Sequence, residues 1–230
     1  MAEVGDERRE RGARLAQVVD DLADRYLGTL PGGEFEFPPD FTPSPVATNE
    51  RIDIDLPPGS GDGGVTLFWQ LERDAVSESE VVAAEVLEQI IDSLIFDVIR
   101  EDLAASYGGG ASIGYDDNPL PEYTGRIDID GDPDRLDEIV TTVRAELKRL
   151  AATGPTADEF TRARTVLSDE WAFINNGDLI REALIPALSS RAFVSIYDRD
   201  GFLAEVTADD VRALAADLFD PTASIEVRRS

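Results

Sequence analysis

Apolar positions set out a long helix between Ser77 and Tyr107, SESEVVAAEVLEQIIDSLIFDVIREDLAASY. Val82, Val86, Ile90, Leu94 and Val98 recur in fours and keep one face dry. Val81, Leu87, Ile91, Ile95 and Ile99 widen that face, so most of the helix is expected to be buried. Ser77 or Ser79 is suited to cap its start, with Glu78 and Glu80 at the positive end of the helix dipole. Gly108, Gly109 and Gly110 are expected to stop it after Tyr107. Arg100 and Tyr107 then stand about two turns apart and project from the same side.

On either side the pattern is shorter and more mixed. Residues 8 to 27 predict a helix with Leu15, Val18, Val19, Leu22 and Tyr26 on one side, ended by Gly28. Residues 34 to 49, with prolines at 38, 39, 43 and 45, read as an extended linker. Arg51 to Leu56 alternates as a half-buried strand, Gly59 to Gly64 as a loop, and Val65 to Leu71 as a more buried strand. Beyond the glycines, Ala111–Tyr115 and Tyr123–Asp130 predict two antiparallel strands around the turn-rich Asp116–Pro121. Pro133 opens a helix whose dry face is Leu136, Ile139, Val140, Val143, Leu147 and Leu150, closed by Gly154 and Pro155. Thr156 and Glu159 have capping-box spacing and start a helix through Trp171. Residues 178 to 197 read as helical with a break near Pro186. Thr207 caps Ala208 to Phe219, and Ala223 to Val227 closes the chain as a strand. Helices segregated against a mostly antiparallel sheet predict an α+β fold, a two-layer α/β domain.

Composition narrows the classes of partner. Asp and Glu number 48 against 21 basic residues, a formal charge of −27, and Lys148 is the one lysine. Such a surface argues against nucleic acid and against anionic membranes, both of which need positive charge. It also repels itself at low ionic strength. No segment approaches the length of a membrane span, and the N-terminus lacks a signal-peptide core, so a cytoplasmic chain is expected.

Histidine and cysteine are both absent, which removes the commonest general base, the commonest transition-metal ligand and all thiolate chemistry. Catalytic triads are excluded, and a Ser–Lys dyad would rest on Lys148 in a polar helix. Asp128 to Asp134 suggests a calcium loop, but Pro133 and Ile139 stand where the EF-hand needs glycine and glutamate. Those acids suit the first turn of the following helix better. Gly108 to Gly110 follow a helix and enter a strand, the wrong order for a phosphate cradle. The sequence offers no self-sufficient active site.

IREDLAASY, followed by PEYTGRIDIDGDPDRLDEIVTTVRAELKRLAATGPTADEFTRARTVL, resembles the C-terminal, non-zinc half of pitrilysin/insulinase-type zinc metallopeptidases. DLADRYLGTLPGG and VTADDVRALAADLFDPTASIEV extend the resemblance toward both ends. It implies a mostly antiparallel sheet covered by helices on one side, as in mitochondrial-processing-peptidase-like domains. Residues 1–33 would end a preceding homologous unit, 34–49 link, and 50–230 form the C-terminal domain. The family's inverted His-x-x-Glu-His zinc motif cannot be here. The resemblance therefore implies no cofactor in this chain, zinc in a partner half, and a peptide substrate in a chamber that the two halves close. Arg100 and Tyr107 match a pair that reaches toward the zinc site and steadies the substrate backbone and oxyanion. Gly108 to Ser112, with Gly109 and Gly110 at its centre, match a strand beside which an extended peptide lies. A scaffold subunit without proteolysis is the alternative. The aromatic segment after the third helix is displaced to Trp171–Asn176, which bears on subfamily rather than family.

Overall fold

The computed structural model describes residues 49–57, 63–74, 76–97, 106–116, 121–172 and 199–229, together with Arg25; of Ser106 and Tyr107 it describes the backbone alone. The chain divides into two units, Met1–Pro43 and Ser44–Ser230, and every element below lies in the second. The expected helices over 8–27 and 178–197, and Arg100, lie outside the described residues.

Five strands form one sheet: β1 (Glu50–Ile54), β2 (Gly63–Glu72), β3 (Ser106–Asp116), β4 (Glu122–Gly131) and β5 (Ser224–Arg229). Their order is β1-β5-β2-β4-β3, antiparallel except for the β1–β5 pair. The described helices are α1 (Glu78–Leu94), α2 (Leu136–Thr153), α3 (Ala157–Ala172), α4 (Arg199–Glu205) and α5 (Ala208–Leu218). They cover one face of the sheet. This is the two-layer α+β arrangement that the pattern predicts.

Alternation along each strand sends one set of side chains into the helix layer. Val65, Leu67 and Trp69 of β2, Tyr123, Ile127 and Ile129 of β4, and Ile113 of β3 are all buried there. They meet Val82, Val86, Leu87, Ile90 and Ile91 of α1 and the six predicted dry positions of α2, in one continuous core. Each such aliphatic side chain contributes roughly 1.5–3 kcal/mol by leaving water. Trp69 also meets Phe219 edge to face at 5.0 Å.

Helix starts follow the local signals. Ser77 and Glu80 form a capping box, as do Thr156 with Glu159 and Thr207 with Asp210. Asp132 caps a short 3-10 turn, Pro133–Arg135, before α2 begins, and its carboxylate accepts the Asp134 N–H at 3.0 Å. Of the aspartates that suggested calcium, Asp132 and Asp134 thus belong to a helix entry, whereas Asp128 and Asp130 lie on β4 and bond to Arg126 and Arg229. No group of three or more metal-ligating residues exists among the described residues.

Three expectations are corrected. The helix predicted through Tyr107 does not reach it: α1 spans Glu78–Leu94, a π-helical turn carries on through Asp97, and Ser106 through Asp116 is strand. Pairing with all of β4 outweighs the weak helix propensity of Ser106, Tyr107 and the glycines after them, so the three glycines lie within a strand rather than ending a helix. Gly63 and Gly64 open β2 instead of closing a loop. Strand β1 is exposed along its whole length instead of half-buried, with Ile52 at 40% and Ile54 at 45%. Its register with Val227 and Arg229 points these isoleucines to the sheet face opposite the helices.

Strand β5 carries charge into the helix layer. Glu226 and Arg228 are buried, and each compensates the other at 2.5 Å. Arg144 and Asp137, both on α2, complete the network at 3.2 Å from Glu226 and 2.5 Å from Arg228. Buried charges persist only when paired in this way.

Candidate functional site

Strand β3 lies at the margin of the sheet, paired with β4 on one side only. Along an antiparallel edge, alternate residues turn both backbone polar groups away from the partner strand. Here these are Gly109, Ala111, Ile113 and Tyr115. The N–H groups of two of the four are satisfied by α1. Asp92 Oδ1 accepts the Ala111 N–H at 2.6 Å, and Glu88 Oε2 accepts the Ile113 N–H at 2.7 Å. The acids are one turn apart on the helix, and the amides two residues apart on the strand, so the spacings match.

Both carboxyls titrate above the usual carboxylate range. Burial is the main cause in each case, and the strand amides pull the other way. Glu88 also feels the negative charges of Asp92 and of Glu170 on α3. Neither acid stood out in the sequence. Their signal is a pair of acids four apart on the polar side of an amphipathic run, EVLEQIIDSLIF, beside Glu85, Gln89 and Ser93.

The four candidate residues separate on inspection. Arg100 lies outside the described residues. Tyr107 is in β3, where the pairing skips from Ser106 opposite Gly131 to Gly108 opposite Asp130, so Tyr107 is the extra residue of a bulge. It is therefore not two helical turns beyond Arg100. A Cβ at Gly109 would stand 2.8 Å from the Asp128 carbonyl oxygen and 3.2 Å from Ile95 Cγ2, so the close approach of the β4 backbone requires glycine there. A Cβ at Gly110 would meet Asp92 Oδ1 at an ordinary 3.5 Å. At Gly108 and Gly114 it would meet nothing within 4 Å. The folded unit thus has a use for Gly109 but not for the other three. With Ser112 between them, Gly108, Gly110 and Gly114 leave the outer face of β3 nearly bare of side chains.

Next to this bare strip, Arg126 and Thr66 both bond to Asp128, at 2.6 Å each. Burial works against that charge, yet the two partners hold the Asp128 carboxyl below its usual range. Tyr115 and Tyr123 pair across β3 and β4 with ring centres 5.1 Å apart. The site supplies exposed backbone and fixed hydrogen-bonding groups. It assembles no nucleophile and base, and its carboxylates do not converge as metal ligands.

The family model of the peptidase M16 inactive domain matches residues 16–167, more than half of the chain. The chain belongs to the peptidase M16 family. No curated protein matches it in sequence. Among solved structures it is similar to a protease from Helicobacter pylori, with a TM-score of 0.76 at 14% identity over 93% of this chain and 52% of that one. The periplasmic protease PqqL from Escherichia coli gives 0.71 at 12% identity, covering 93% of this chain and 24% of that one. The M16 inactive domain from Pseudomonas fluorescens gives 0.59 at 16%, covering 81% and 45%. These likenesses are of fold, and the chain spans about a quarter to a half of those proteins. Zinc, the metal of the family's catalytic half, finds no fit here: the M16 chain has no histidine, and among the described residues no three acids gather as possible ligands.

Proposed function

We propose that this M16 chain is the substrate-binding, non-zinc half of an insulinase-type metallopeptidase. In this reading it closes a peptide chamber with a zinc-bearing half, or with a homologous subunit, and hydrolyses nothing alone. Residues 1–33 end a preceding homologous unit, 34–49 link, and 50–230 form the functional domain. The carrying observation is the inactive-domain match in a chain devoid of histidine. Arg100 and Tyr107 hold the substrate backbone and the developing negative charge on the scissile carbonyl, while the peptide runs along β3 past Gly109 and Gly110. The bulge at Tyr107 supports this reading, because bulges re-aim side chains beside functional sites. So does the bare outer face of β3, where glycine serves no packing need at 108, 110 or 114.

The test is peptide hydrolysis and zinc content, measured on the purified chain, on a zinc-bearing M16 partner and on their mixture. Activity is expected in the mixture alone. Tyr107→Phe or Arg100→Ala should lower it by about a hundredfold, the usual effect of losing one oxyanion-stabilising donor. Zinc and hydrolysis in the isolated chain would refute the proposal. A stable but inactive complex would favour a scaffold subunit. That second reading draws on the β3 edge, where Asp92 and Glu88 already occupy two outward amides.

A further inference from the structure

We infer that Glu88 and Asp92 set the limit of strand pairing on β3, leaving its edge open to an extended peptide as far as Gly110 and closed from Ala111 onward. The inference rests on the proposed peptide-binding role and deepens it by fixing the register. An added strand needs the outward N–H groups of the edge as donors. Those of Ala111 and Ile113 are bonded to the helix carboxylates at 2.6 and 2.7 Å. The N–H of Gly109 is the next outward donor toward the start of the strand, by the alternation of the ladder. A charged acceptor makes a stronger bond to an amide than a neutral peptide carbonyl does, so an incoming strand does not readily displace Asp92 or Glu88. Displacement would also strand two half-buried acids without their donors, Glu88 beside Glu170. The two carboxylates therefore act as a stop: peptide residues pairing before Ala111 are held by backbone, and those beyond it leave the sheet.

Glu88 and Asp92 share the partly exposed side of α1 with Glu85, Gln89 and Ser93. An alanine pair at 88 and 92 would leave the outward amides as a template for pairing with any passing strand. The bulge at Tyr107 limits regular pairing from the other end, so the usable edge is short and centred on Gly109.

The experiment is residue-resolved amide hydrogen exchange on the full chain, with and without a short peptide of alternating Val and Thr flanked by arginine. In the wild type, the probe is expected to slow exchange at Gly109 and to leave Ala111 and Ile113 unchanged. In Glu88→Ala/Asp92→Ala, exchange at those two amides should rise about tenfold without probe, the equivalent of one net hydrogen bond each. With probe, protection should then extend through Ile113. Glu88→Gln/Asp92→Asn keeps both acceptors without their charge; it should keep Ala111 and Ile113 slow without probe and let the probe protect them only in part, which separates the stop from a loss of folding. Probe protection that reaches Ile113 in the wild type would overturn the limit while leaving peptide binding on β3 intact. Protection only in the alanine variant would support the cap and overturn wild-type strand pairing. No protection in any variant would overturn both.

Discussion

Glycine 109 and its neighbours show how little a residue type says without its surroundings. All three glycines of 108–110 look alike in sequence, yet only at 109 would a Cβ press on a backbone oxygen, that of Asp128 at 2.8 Å. Gly109→Ala should therefore destabilise the domain by about 2 kcal/mol, as overpacking does. Gly108→Ala and Gly114→Ala should instead raise stability by about 0.5 kcal/mol each, because alanine restricts the unfolded chain. Urea denaturation checks both signs; equal losses at 108 and 109 would mean that the outer face of β3 is covered. Gly110→Ala should leave stability nearly unchanged, so any loss of hydrolysis in the two-half mixture would report on peptide contact. Arg100 and Tyr107 were singled out by resemblance, and Tyr107 stands at a bulge that no local pattern announces.

Among the elements, the helices were far more legible than the edges of the sheet. The six dry positions of α2 and the Thr156–Glu159 capping box follow from spacing alone, because a helix satisfies its backbone within itself. The end of α1 did not follow, since the gain that draws Ser106–Gly110 into β3 comes from β4, residues away in sequence. The acids of α1 bring a pH dependence of their own. Burial raises the pKa of Glu88 and Asp92 in the folded protein above the unfolded value. Their stabilising contribution is then complete below the ordinary carboxylate range and is lost as pH rises through the raised pKa. Glu88→Gln/Asp92→Asn should remove this loss, so the variant gains on the wild type between about pH 3 and pH 7. Parallel unfolding curves at the two pH values test it, and a constant or shrinking gap would contradict the burial argument.

For the whole molecule the charge of −27 governs behaviour in solution. Several exposed arginines are already paired, including Arg51 with Asp53, Arg73 with Asp217 and Arg162 with Asp97. The excess acid therefore repels itself across the surface, at separations that salt screens within about 10 Å at 0.1 M. The melting temperature should rise from low to high salt, and a flat response in a thermal melt would count against this. Among the described residues no helix is long and apolar enough to cross a membrane.

The sequence by itself determined the α+β layering, the core faces of its helices, their caps, the lack of histidine chemistry and the kinship with the M16 inactive domain. Those are properties of short windows and of composition, where the period of apolar residues or one missing residue type is decisive. Tertiary structure alone decided that the glycines belong to an edge strand, that Gly109 admits the close approach of the β4 backbone while Gly110 has room for a Cβ, and that Glu88 and Asp92 close part of that edge. Each of these depends on which strand lies beside which, and on hydrogen bonds between residues 19 and 25 positions apart. Such pairings leave no period in the sequence, because the partner's identity is fixed only when the sheet assembles.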